Sequence, residues 1–102
     1  MSDVKILERK ALEIRRRYDQ LNKSRDGQSW DALKLANGFK KDVDDLVEII
    51  EKNPLNRKKL NHEIADCLWS VLVIARKLDV DIEKAFWDTM SELDLRFDKG
   101  KA

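Results

Sequence analysis

Residues 38–69 read GFKKDVDDLVEIIEK, then NPLN, then RKKLNHEIADCLW, and this stretch decides the fold. On both sides of Asn53-Pro54-Leu55-Asn56 the apolar residues recur at three- and four-residue intervals, the period of a helix with one buried face. Before the turn formers they are Phe39, Val43, Leu46, Ile49 and Ile50; after them come Leu60, Ile64, Cys67 and Leu68. The short loop around Pro54 makes the two helices antiparallel neighbours.

Outward from this pair, turn formers at Asn22 to Ser29 (with Gly27) and a break at Asp79-Val80-Asp81 divide the remainder. The expectation is an all-α four-helix bundle, with helices over roughly 3–23, 30–52, 57–78 and 82–98, in a single domain spanning residues 1–102. Ser29 and Asp81 are the expected N-caps of the second and fourth helices. On the first helix Val4, Leu7, Ala11, Ile14, Tyr18 and Leu21 form one apolar stripe. The fourth is expected to bury Ile82, Ala85, Phe86, Met90, Leu93 and Phe97. The third is apolar nearly all the way round from Cys67 to Ala75 and needs cover on every side. A chain this short is expected to find some of it in a second copy, as a homodimer or higher homo-oligomer. Trp69 and Val73 are the candidate interface residues; Trp69 packed on its own first helix is the equal alternative.

Lys and Arg number 21 against 20 Asp and Glu, leaving a formal charge of +1. That balance gives no general attraction to DNA, RNA or an anionic membrane. Arg15-Arg16-Arg17 reads as a solvated flank, with a phosphate or nucleic-acid contact as the alternative. No apolar run is long enough to cross a bilayer, and the first residues lack a secretory pattern. A lone cysteine fits a reducing compartment. The expected localisation is cytoplasmic.

Two acid pairs stand three residues apart among apolar neighbours: Asp42 with Asp45, and Glu63 with Asp66. The spacing alone decides nothing, since 20 acids in 102 residues supply such pairs by chance. Placement says more. On a helical projection Leu35, Phe39, Leu46 and Ile49 all lie within about 60° of Asp42, which therefore sits inside the apolar arc. Asp45, Glu63 and Asp66 lie on its borders. Across the Pro54 loop Asp45 matches Glu63 in height, and Asp42 matches Asp66, to within about 1.5 Å. No Lys or Arg falls on these arcs, so clustered carboxylates need a cation. An all-oxygen donor set suits Mg²⁺ or Mn²⁺ better than zinc. Partly solvated acids without a metal are the alternative. Gly38, one turn before Asp42, leaves room either for a ligand or for a close helix contact. His62 reads as a surface histidine and Cys67 as a small core residue.

Gly38-Phe39-Lys40-Lys41-Asp42-Val43-Asp44-Asp45-Leu46, followed by His62-Glu63-Ile64-Ala65-Asp66-Cys67-Leu68-Trp69, resembles the MazG-like all-α nucleoside triphosphate pyrophosphohydrolases and their dCTP/dUTP pyrophosphatase relatives. Their pattern is E-E-x-x-E followed by E-x-x-D; the similarity spans about residues 30 to 97 and takes in Lys77 to Ala85 and Arg96-Phe97. Lys41 replaces the first acid, Asp42 and Asp45 replace glutamates, and Glu92 stands where such proteins often carry a phosphate-binding lysine. The resemblance implies hydrolysis of a nucleoside triphosphate to the monophosphate and pyrophosphate, a house-cleaning reaction on nucleotide pools. It implies Mg²⁺ held by Asp42, Asp45, Glu63 and Asp66, with Asp45 or Glu63 acting on the attacking water. Arg96 and Lys41 are the expected phosphate contacts and Trp30 a candidate for stacking on the base. The competing reading is a helical oligomerisation module with a degenerate, inactive site.

Overall fold

The computed structural model describes residues 3–26 and 31–100, the side chains of 22–26 excepted. Helix α1 runs Asp3–Asp26, α2 Ala32–Lys52, α3 Arg57–Lys77 and α4 Ile82–Asp98, and there is no strand among the described residues. The all-α, four-helix expectation holds.

Local chemistry sets each boundary. Asp31, not Ser29, caps α2: its side chain accepts from the Lys34 amide at 2.9 Å. Ser29 itself lies outside the described residues. Two further side-chain caps follow the same pattern. Asn56 accepts from the Lys59 amide at 3.2 Å to start α3, and Asp81 from the Lys84 amide at 3.1 Å to start α4. The end of α3 turns through Asp79 at φ 59°, a left-handed conformation that aspartate tolerates better than most residues. The Val80 amide then returns to the Ala75 carbonyl at 2.7 Å and fixes the direction in which α4 leaves.

Helix α3 is the common wall, packed most extensively on α2, less on α1 and least on α4. Ala11, Leu35, Leu72 and Val73 form the core, with Trp69, Ile74 and Ile82 packed against it. Trp69 is therefore packed on its own first helix, and Val73 belongs to the core. Val73 is buried, and the Trp69 indole N–H donates to the Ala11 carbonyl at 3.1 Å. The Tyr18 ring lies 5.8 Å from that of Trp69, and the Arg15 guanidinium sits over both. Arg15 is thus no solvated flank; it also pairs with Asp19 at 3.2 Å.

The fourth helix departs from expectation. None of its residues is buried, and Phe86 and Phe97 are 51% and 70% exposed. Ile82, at its start, holds it to the core. The radius of gyration, 16.4 Å, exceeds the roughly 13 Å of a compact chain this long. One apolar face of α4 is left uncovered.

Candidate active site

The Pro54 hairpin brings the acids of α2 and α3 together. Asp45 and Glu63 line one groove of about 400 Å³ at the loop end of the pair. Asp42 is met by Ser70, whose hydroxyl donates to its carboxylate at 2.5 Å. That contact lies one turn beyond Asp66, the residue that matching heights place opposite Asp42. Burial pushes the Cys67 thiol above its ordinary range, and Asp42, Asp66, Glu63 and Asp45 push it further, in that order. Carboxylates of both helices thus act on the thiol in the same direction.

The acids differ in their partners. Lys41 reaches Asp45 at 3.3 Å and His62 reaches Asp66 at 3.1 Å, each across one helical turn. The expectation that no Lys or Arg neutralises these acids is thus corrected at Asp45, which Lys41 reaches from beside the arc. Glu63 stands apart. It is the buried charged residue of the described chain, at 9% exposure, and has no hydrogen-bond or ion-pair partner among the described residues.

Among the described residues no three acidic, histidine or cysteine side chains are arranged to hold a metal ion as they stand. The donor set still fits a hard divalent cation. It is all oxygen, and Glu63, which lines the groove with Asp45, has no hydrogen-bond or ion-pair partner among the described residues. Ligation would require Asp45, Asp66 and Asp42 to leave Lys41, His62 and Ser70.

The groove's other walls were not singled out by sequence reasoning. Asn53, Asn56, Lys52 and Lys59 line it together with Ile49 and Glu48. Lys52 pairs with Glu48 at 3.3 Å, while the Lys59 ammonium has no partner among the described residues. Their signal was available, because Lys59 precedes Glu63 by four residues and so shares its face. Arg96, by contrast, is not brought to the acids. It pairs with Glu92 at 2.9 Å on α4, and no α4 residue lines the groove. Lys41 is engaged by Asp45 rather than free for a phosphate. Trp30 lies outside the described residues.

Fold and groove together define an all-α protein with an acid-lined seam between two antiparallel helices. The model of the MazG nucleotide pyrophosphohydrolase domain matches residues 32–99, two thirds of the chain and all of α2, α3 and α4. The chain belongs to the MazG family, whose enzymes are typically dependent on a divalent metal. Comparison with curated proteins and with solved structures gives no significant match.

Proposed function

We propose that this chain is a Mg²⁺-dependent nucleoside triphosphate pyrophosphohydrolase, with Mn²⁺ able to substitute, serving in the cleansing of nucleotide pools. The observation that carries this reading is Glu63, buried without a partner in the groove it shares with Asp45. A carboxylate in that setting favours whatever cation can reach it. Asp42, Asp45, Glu63 and Asp66 would hold the metal, which when bound supplies charge neutralisation to the phosphates. Asp45 or Glu63 accepts a proton from the water that attacks the α-phosphorus. The α–β anhydride bond breaks, leaving the monophosphate and pyrophosphate. Lys59 and Lys52, at the loop end of the groove, hold the departing phosphates; Lys41 can join them once released from Asp45.

Assembly belongs to the same proposal. Leu7, Ile14, Leu68 and Ala65 border an apolar hollow of about 240 Å³ between α1 and α3. With the open face of α4 this is surface for a second copy. We expect a homodimer or higher oligomer by light scattering, and a cytoplasmic protein; no described helix is long and apolar enough to cross a membrane. A structural module with a degenerate site is the second reading, favoured by the partners already holding Asp42, Asp45 and Asp66. Pyrophosphate release across a panel of NTPs and dNTPs separates the two. Asp66→Asn should reduce release by about a hundredfold or more, as loss of a metal-site group does. No release from any nucleotide with Mg²⁺ or Mn²⁺ would leave the structural module as the account.

A further inference from the structure

A second hollow, of about 390 Å³, lies between α1 and α3, away from the acid groove. Its floor is apolar, built by Leu12, Leu35 and Val73. Its rim carries Arg15, Arg16, Arg76 and Lys77, with Asp19 as the one carboxylate. Four cations against one acid is a local excess in a chain whose formal charge is only +1. Asp19 is engaged by Arg15, at 3.2 Å, and that guanidinium is also held over the Tyr18 and Trp69 rings. The side chains of Arg16, Arg76 and Lys77 have no hydrogen-bond or ion-pair partner among the described residues.

Like charges gathered at one hollow repel, and an anion relieves that repulsion while gaining charge-assisted hydrogen bonds. The apolar floor asks for more than a bare anion. We infer that this hollow binds a small phosphorylated ligand, a phosphate on the Arg16–Lys77 rim with an uncharged body on Leu12, Leu35 and Val73. It is distinct from the proposed catalytic groove. Lys77 lies fourteen residues beyond Glu63 on α3, roughly 21 Å along the axis. Half of its wall comes from α1, which lies outside the residues matched to the MazG domain. A hollow of about 390 Å³ suits a ligand of mononucleotide size. An extended nucleic acid would need a basic track, whereas α1 carries Glu8, Glu13 and Asp19 along its length.

The test is calorimetric titration of the full chain with AMP, and separately with inorganic pyrophosphate, in EDTA so that no divalent metal serves the acid groove. Binding is expected, weakening as salt rises. Arg76 also borders a neighbouring hollow lined by Glu8, Asp79 and Asp81, so the informative variants are Arg16→Gln and Lys77→Gln. Both side chains are on exposed residues, and the double variant should keep its helical circular dichroism. It should bind about tenfold more weakly, while Asp66→Asn binds as the parent does. Tighter AMP supports a phosphorylated ligand with an uncharged body; tighter pyrophosphate, which has no such body, would overturn it. No binding in EDTA, unchanged affinity in the folded double variant, loss with Asp66→Asn, or a single-stranded oligonucleotide bound more tightly than AMP would each overturn the inference. These outcomes are independent of whether the acid groove hydrolyses nucleotides.

Discussion

Glu63→Gln isolates the proposed metal site because it breaks no contact the structure shows. Glu63 is 9% exposed and has no partner among the described residues, while Asp45 faces the same groove. Glutamine keeps the shape and removes the charge. Without metal, the variant removes one of the two like charges facing the groove and should be more stable by about 0.5 kcal/mol, the scale of one solvent-screened charge pair. For a chain of this size that is a rise of about 2–4 °C in Tm in EDTA. With metal, the order reverses. At a hundredfold excess over its Kd a cation stabilises the parent by about 2.7 kcal/mol, or about 11–22 °C. If losing one ligand charge weakens binding about a hundredfold, the same concentration stabilises the variant by only about 0.4 kcal/mol, or about 2–3 °C. Thermal unfolding of both proteins in EDTA and in Mg²⁺ or Mn²⁺ reads all four values. Equal metal-induced shifts in the two proteins would refute the placement of the cation at Glu63.

Cys67 should react with iodoacetamide at pH 8 more slowly than a free thiol, because burial and then the surrounding carboxylates raise its pKa above 9.0. The native thiol keeps its proton where the unfolded one gives it up, so stability should fall as pH climbs above 9.0, with a shallower fall in Cys67→Ala. Asp81→Ala removes the acceptor for the Lys84 amide and should lower stability by about 1 kcal/mol in urea unfolding. Asp79→Gly places at φ 59° the one residue that pays no Cβ penalty there, for a gain of about 0.5–1 kcal/mol in the same assay.

The helices were legible because their punctuation is chemical. Asp81 and the Asn53–Asn56 turn act locally, and the structure uses them as the sequence suggests. Ser29 was misjudged because Asp31, two residues on, offers an equivalent acceptor, and no local rule separates them. Trp69 was ambiguous for a different reason. Its destination depends on a carbonyl at Ala11, 58 residues away, which periodicity cannot see. Phe86 and Phe97 mark the opposite failure: an apolar stripe says that a face wants cover, not that its own chain supplies it. At the site, Asp45 and Glu63 share a groove as the projection suggests, but projection treats each side chain as a point. Lys41 and His62 lie off the apolar arcs, yet each reaches an acid four residues on, as neighbours on a helix surface do.

Those two contacts bear on whether the seam can accept a cation at all. Lys41 and Asp45 have side chains 78% and 41% exposed, and His62 and Asp66 68% and 37%. Exposed pairs one turn apart contribute about 0.3–0.5 kcal/mol each, so releasing both costs about 1 kcal/mol at most. Freeing Asp42 from Ser70 adds about another 1 kcal/mol, the usual net contribution of one hydrogen bond. A divalent ion that gathers four carboxylates can exceed that sum, and most easily at Glu63, where nothing has to be displaced. Weak partners thus hold three of the acids, and Glu63 has none among the described residues. The aspartates at 42 and 45 bear on this balance because their arms are one methylene shorter than the glutamates of the family pattern. Ligation then depends on α2 and α3 approaching closely along the seam, which the extensive packing between them favours.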